Sequence, residues 1–211
     1  MNQHIMNEEA LARDREINAL GMWVFLASEI MLFGGLFLGY TVYRYLYPAA
    51  FAEASRHLDL WLGTANTAVL LTSSLTMALA VHHSRAAKRK TAVLFLLLTI
   101  ALGLLFLGIK GYEYWQEYQE QLIPGLNFVY EGANPATVRL FFSLYFIMTG
   151  LHAVHLSVGI LLVGAAIVLG GKRPFAHNPA EPAEMIGLYW HFVDVVWVFL
   201  FPMLYLIDRA A

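Results

Sequence analysis

Five long apolar stretches constrain this chain of 211 residues more than any other feature of its sequence. A helix needs about 20 apolar residues to cross the ~30 Å hydrocarbon core of a bilayer. The stretches of this length are residues 20–43, 60–84, 91–109, 140–171 and 185–207. Their only charged residues are Glu29 and Asp194, and none of them alternates with the period of a barrel strand. The sequence therefore predicts an all-α membrane protein, a bundle of five transmembrane helices.

The composition excludes several other classes of protein. Hydrophobic residues make up 59% of the chain, and charged residues make up only 13%. With a formal net charge of −2, the chain resembles neither a disordered protein nor a basic nucleic-acid-binding protein, so we expect no nucleic-acid partner. The sequence contains no cysteine, which excludes disulfides, iron–sulfur clusters and a cysteine nucleophile.

Turn-forming residues separate the predicted helices. The connections contain Pro48, Pro124-Gly125, Asn134-Pro135 and Gly170-Gly171, all of which favour a break in a helix. The sequence shows no internal repeat and no segment large enough for a soluble lobe. We therefore predict a single domain over residues 1–211, with helices at about 20–46, 59–84, 91–115, 138–170 and 184–208.

The basic residues predict the orientation of the bundle. Lys and Arg are concentrated in three segments, at Arg13 and Arg15, at Arg85 to Lys90, and at Lys172 and Arg173. The connection between the third and fourth helices is acidic instead, with Glu117, Glu120 and Glu131. By the positive-inside rule, the amino terminus lies in the cytoplasm and the carboxyl terminus lies outside.

Ionisable residues inside membrane spans are costly and therefore mark candidate functional positions. This chain has five of them: Glu29, His152, His155, His191 and Asp194. Counting ~1.5 Å per residue from the inner helix ends places Glu29 and Asp194 ~14 Å deep and His191 ~10 Å deep. The same count places His155 ~20 Å from the inner surface and His152 still further out. A haem held between His155 and His191 is disfavoured, because these histidines would lie at different depths.

Each of these positions has a structural interpretation beside the functional one. His191 and Asp194 are three residues apart on one helical face, so they can form a purely structural pair. His152 and His155 also share a face, but no third metal ligand is expected at their level. Glu29 has no basic residue on its own helix before Arg44, ~22 Å away along the axis, so hydrocarbon favours its neutral form. Lys110 and Glu113 are interpreted as an interfacial pair.

Several motifs, taken in order along the chain, resemble one family. The clearest is residues 189–197, Tyr-Trp-His-Phe-Val-Asp-Val-Val-Trp, in the last helix. The others are Ser28-Glu29-Ile30-Met31, Asn66-Thr67, His82-His83, Glu113-Tyr114, and Thr149-Gly150-Leu151-His152 with His155. Together they resemble subunit III of haem-copper oxidases over residues 21–206, in the short bacterial form with five helices.

The resemblance implies an accessory subunit in the bacterial cytoplasmic membrane. It implies that this chain binds no haem, copper or other metal, and that haem and copper reside in the partner subunits I and II. It further implies that the chain supports assembly, proton uptake and turnover stability of the catalytic subunit. Membrane phospholipid is the expected ligand. A small subunit IV and a respiratory supercomplex are further candidate partners.

The resemblance also implies roles for individual residues, none of them catalytic. Glu29 corresponds to the family's buried, carbodiimide-reactive carboxyl, and such reactivity requires the protonated acid. His191 and Asp194 correspond to a structural polar pair in the last helix. The remaining candidate polar or lipid-contact residues are His82, His83, Glu113, His152, His155 and Trp190.

The motifs indicate the family more strongly than they indicate which type of oxidase the chain belongs to. Glu29 and the Tyr189-Trp190 pair favour a cytochrome c oxidase of the aa3 or caa3 type. Quinol oxidases and nitric oxide reductases have similar accessory subunits and remain the alternatives. A small secondary transporter is a further alternative, although such proteins normally show inverted repeats and broken helices at the membrane midplane.

Overall fold

The computed structural model describes residues 2–130, 132, 134–170 and 180–207. Within the first helix it describes the side chain of Arg13 and those from 16 onward, and within the last helix those from 183 onward. These residues form helices and no strand. The helices are α1 (Asn2–Leu46), α2 (Pro48–Arg56), α3 (Leu60–Arg85), α4 (Arg89–Gln119), α5 (Pro135–Leu169) and α6 (Ala180–Tyr205).

Five of these helices are long and apolar enough to cross a membrane, which confirms the predicted all-helical class and the number of spans. The candidate spans are Glu16–Leu46, Leu60–Arg85, Arg89–Gln119, Pro135–Leu169 and Ala183–Tyr205. The basic residues Lys172 and Arg173, used above for orientation, lie outside the described residues, as does Glu131.

Two features of the helices differ from the expectation. Helix α1 begins at Asn2 rather than near residue 20, and it is 45 residues long. The short helix α2 was not predicted, because its sequence Pro-Ala-Ala-Phe-Ala-Glu-Ala-Ser-Arg is neither long nor strongly apolar. Pro48 occupies its first turn, where the missing amide hydrogen costs nothing. Asp59 then caps α3, since its Oδ1 accepts from the amides of Trp61 (2.8 Å) and Leu62 (3.2 Å).

Helix α6 is the most buried of the five candidate spans, and it packs against α3. Two buried indoles on α6 donate to hydroxyls on α3: Trp190 Nε1 to Ser73 Oγ (3.2 Å) and Trp197 Nε1 to Thr67 Oγ1 (3.0 Å). The order of these contacts shows that α3 and α6 run antiparallel. Gly159 of α5 makes room for Trp190, because a Cβ there would lie 3.2 Å from the indole.

Helices α1 and α2 cover one end of α6, here called the α2 end of the bundle. The last carbonyls of a helix have no partner within it. The Tyr40 hydroxyl of α1 donates to the carbonyl of Met203 (2.6 Å), and Ser55 Oγ of α2 donates to that of Leu204 (2.9 Å). Tyr130 donates to Glu53, and this hydrogen bond raises the pKa of Tyr130 to about 12. This hydrogen bond links the connection between α4 and α5 to α2.

Candidate functional site

Glu29 and His155 meet between α1 and α5. The distance between Glu29 Oε2 and His155 Nε2 is 2.9 Å, and each side chain is 14% exposed. Phe33 packs edge-on against the His155 ring, with ring centroids 5.3 Å apart. The candidate carboxyl therefore has a titratable partner within the chain, which the sequence did not predict.

The other nitrogen of His155 fixes how the pair can share protons. His155 Nδ1 lies 2.8 Å from the carbonyl of Leu151, which can only accept, so Nδ1 carries a hydrogen. The contact with Glu29 then requires one further proton, located either on the carboxyl or on Nε2. The pair therefore holds one shared proton and is neutral overall in both arrangements.

The depths counted from the sequence placed Glu29 and His155 ~6 Å apart along the membrane normal, so their contact was not predicted. The count took the ends of the apolar stretches as membrane boundaries. Helix α1 continues far beyond its apolar stretch, and α5 has 35 residues, more than a bilayer requires. The helix ends, and therefore the relative levels of residues on different helices, do not follow from the apolar stretches alone.

His191 and Asp194 are close but do not form a hydrogen bond. The distance between His191 Nδ1 and Asp194 Oδ2 is 3.9 Å, whereas Ser74 Oγ of α3 lies 2.8 Å from the same nitrogen. Neither oxygen of Asp194 has a hydrogen-bond partner within the described residues. His191 is thus tied to α3 rather than to the acid on its own helix.

The remaining candidates divide into buried and exposed residues. Glu113, His152 and Trp190 are 2%, 0% and 0% exposed, so these three do not contact lipid. The His152 ring is enclosed by aromatic rings, with centroids 5.5 Å from Phe106 and 5.2 Å from Trp197. His82 and His83 lie at the opposite end of the bundle from α2, with His82 exposed and His83 partly exposed.

The most extensive polar cluster in the described residues contains one of the candidates, Glu113, and three residues that were not predicted as a site. Lys110 Nζ donates to Glu113 Oε2 (2.9 Å) and to the hydroxyls of Tyr145 (2.9 Å) and Tyr205 (2.6 Å). Both hydroxyls donate to Glu113 Oε1. We call these four residues the lysine cluster. It joins α4 to α5 and α6 at the α2 end.

The sequence does contain a signal for this cluster. Lys110, Glu113 and Glu117 recur at helical spacing on one face of α4, and all three are buried. The predicted pairing of Lys110 with Glu113 is confirmed at 2.9 Å, but its burial was not predicted. The placement of Glu117 in a connection was wrong, because α4 continues to Gln119. Helical periodicity extended beyond residue 115 would have placed all three on the buried face.

A groove of about 420 Å³ lies beside Glu29 and His155. Its walls come from α1, α5 and α6 and are apolar apart from this pair and one tyrosine. They are formed by Met22, Phe25, Glu29, Val154, His155, Val158, Leu162, Met185, Ile186 and Tyr189. Val154 and Val158 are 59% and 42% exposed, so the groove opens at the outer surface of the bundle.

Comparison with known proteins identifies the family. The family model described as "Cytochrome c oxidase subunit III" matches residues 5–208. The chain belongs to the haem-copper oxidase subunit III family. A subunit III of this family is part of an oxidase complex, so the chain partners with catalytic subunits in a membrane.

Several relatives of this subunit III carry the same printed name, "Probable quinol oxidase subunit 3". The one from Staphylococcus saprophyticus is 32% identical over 199 residues, which are 94% of this chain and 93% of the relative. The one from Staphylococcus epidermidis is 33% identical over 202 residues, covering 96% and 94%. The one from Staphylococcus aureus is 32% identical over the same length and coverage.

The lysine cluster should contribute far more to the stability of this subunit III than an exposed ion pair does. Lys110→Met leaves the buried Glu113 carboxylate without its cation, which typically costs about 3–5 kcal/mol. The matched control is Glu184→Gln, which removes the exposed pair with Arg85 (2.8 Å) and should cost about 0–1 kcal/mol. Thermal unfolding in detergent compares the two variants. Equal shifts of the unfolding midpoint would contradict the importance of the buried cluster.

Proposed function

We propose that this chain is the accessory, redox-inactive subunit III of a bacterial quinol oxidase, in the cytoplasmic membrane. The observation that carries the proposal is the similarity to the three staphylococcal relatives, each matched over at least 93% of its length and named a quinol oxidase subunit. The coverage leaves no large part of those relatives without a counterpart here. The family includes subunits of quinol oxidases and of cytochrome c oxidases. The choice of quinol as the electron donor therefore rests on these relatives.

A redox-inactive role agrees with the arrangement of the described residues, in which no three or more His, Cys, Asp or Glu side chains are grouped so that they could hold a metal ion. A haem or copper ligand needs an unshared nitrogen lone pair directed at the metal. His155 uses both ring nitrogens, on Leu151 and Glu29, and His191 Nδ1 is bonded to Ser74. His152 is closed in by the rings of Phe106 and Trp197. We assign haem and copper to the catalytic subunits.

A cytochrome c oxidase is the second candidate. Glu29 and the Tyr189-Trp190 pair favour that branch by resemblance, and the matching family model is described by that name. The staphylococcal relatives support the quinol branch more directly, because they are whole proteins similar over nearly the entire chain. The proposed orientation, with the turn from Arg85 to Lys90 in the cytoplasm and the α2 end outside, is the same for both candidates.

The groove beside Glu29 is the proposed site for a phospholipid acyl chain. Its apolar walls match a hydrocarbon chain, and its position on the surface of α1, α5 and α6 gives access from the bilayer. The neutral Glu29–His155 pair suits such a wall, because a net charge there would be poorly solvated. In this arrangement the pair links α1 to α5 and forms part of the lipid-binding surface.

The electron donor can be tested directly on the purified oxidase that contains this chain. We expect oxygen consumption with a reduced quinol and none above background with reduced cytochrome c, because the proposed complex has no cytochrome c oxidation site. Both donors are assayed on one preparation, with a known cytochrome c oxidase as the positive control for the second assay. Rapid oxidation of cytochrome c, with no activity on quinol, would establish the second candidate instead.

Glu29→Gln should assemble and support oxygen reduction at close to the normal initial rate. The Gln amide can donate to His155 Nε2 as a protonated carboxyl does, so the contact between α1 and α5 is retained. Glu29→Ala removes the contact and should lower the yield of complex, while Glu16→Gln, at an exposed position of the same helix, serves as the control. Yield and oxygen consumption are measured together. Full assembly of Glu29→Gln with an immediate loss of oxygen reduction would contradict the accessory role.

A further inference from the structure

Glu117 is a buried carboxyl without a hydrogen-bond donor. It lies on α4, one turn beyond Glu113, and is 4% exposed. Both of its oxygens are buried, and no described residue donates to either of them. It interacts electrostatically with Lys110, Glu113 and Glu120, so it borders the lysine cluster. The Tyr145 hydroxyl also lies near Glu117, but its single hydrogen is directed to Glu113 Oε1. An ionised carboxylate in such a position would be strongly disfavoured.

The lysine of the neighbouring cluster has no hydrogen left for Glu117. An ammonium group carries three hydrogens. Those of Lys110 are directed to Glu113 Oε2 and to the hydroxyls of Tyr145 and Tyr205. The closest cation is therefore fully engaged in its own contacts.

The hydroxyl groups around the cluster are also fully used. Tyr145 and Tyr205 each have one hydroxyl hydrogen, and both donate to Glu113 Oε1. Thr149 Oγ1 donates to the carbonyl of Tyr145 (2.7 Å), so in its 2.6 Å contact with Tyr114 it accepts, and Tyr114 uses its own hydrogen there. No hydroxyl hydrogen of these four residues remains for Glu117.

The charge balance of the cluster also indicates that Glu117 carries a proton. Lys110 and Glu113 neutralise each other across their 2.9 Å contact. An ionised Glu117 would leave one unbalanced negative charge in a buried cluster between three membrane helices. A proton on Glu117 removes this charge. Protonation also turns the Glu117 carboxyl, an acceptor without a donor, into a hydrogen-bond donor. The neighbouring Glu113 carboxylate can still accept a hydrogen bond.

We propose that Glu117 is a proton-binding site at the α2 end of the bundle, occupied by a proton when α4 is packed against α5 and α6. The charged and titratable groups that face it are Lys110, Glu113, Tyr114 and Glu120 from α4 and its end, Tyr145 from α5 and Tyr205 from α6. Release of the proton places a second carboxylate charge in the cluster and weakens the packing of α4.

This proposal does not depend on the identity of the electron donor. It concerns only residues of this chain, and it applies equally to an accessory subunit of a quinol oxidase and of a cytochrome c oxidase. Its test therefore uses the full chain reconstituted in lipid, and its outcome is separate from that of the oxygen-consumption assay.

Infrared spectroscopy tests the proton directly, because a protonated carboxyl has its own C=O stretching band. The wild-type chain is compared with Glu117→Gln and with the control Glu120→Gln, an exposed carboxylate at the same helix end. At neutral pH we expect Glu117→Gln to lose one protonated-carboxyl band that shifts on exchange into D₂O. Glu120→Gln should retain that band. A spectrum of Glu117→Gln identical to that of the wild type in this region would overturn the proposal.

The pH dependence of stability provides a second measurement. A group that binds a proton in the folded state and has lost it in the unfolded state makes stability fall as the pH rises. From about pH 5, where an unfolded-state carboxyl is already ionised, up to the pH at which folded Glu117 releases its proton, the unfolding equilibrium constant of the wild type should rise by up to about tenfold per pH unit relative to Glu117→Gln. Glu120→Gln should follow the wild type. Parallel curves for the wild type and Glu117→Gln would overturn the proposal.

Neutral side chains of similar length should be accepted at this position. We expect both Glu117→Gln and Glu117→Met to fold with yields like that of Glu120→Gln, because each reproduces an uncharged residue. Failure of both neutral variants to fold would show that the ionised carboxylate is required, and the proposal would then be wrong.

Discussion

Hydrocarbon cannot solvate a polar side chain, so each polar group between these helices depends on partners within the bundle. The lysine cluster satisfies this requirement most completely, because one ammonium, one carboxylate and two phenols use all of their hydrogens on one another. The cluster fixes α4 against α5 and α6. Two indole–hydroxyl bonds join α6 to α3, and the Glu29–His155 contact then attaches α1.

The same constraint bears on function. His155 uses both ring nitrogens within the bundle, His191 is bonded to Ser74, and the His152 ring is enclosed by aromatic rings. What the bundle presents outwards is an apolar surface with a groove beside a neutral acid–histidine pair. Membership of the subunit III family implies that this chain partners with catalytic subunits.

The sequence predicted the class of fold and the number of spans because length and hydropathy alone determine them. It could not predict which side chains meet between helices, since that depends on tilt and on where each helix really ends. The contact of Glu29 with His155 was not predicted for this reason, and neither was the burial of the Lys110–Glu113 pair. Short α2 carried no hydropathy signal at all, although it caps α6.

We propose that this chain supports the oxidase without taking part in electron transfer. The most direct measurement compares the purified oxidase with and without this chain, recording the optical spectrum and the rate of oxygen consumption over many turnovers. We predict unchanged haem spectra and a nearly normal initial rate in its absence, followed by faster loss of activity. Missing haem or copper absorption, or an initial rate near zero with the catalytic subunits intact, would contradict the account.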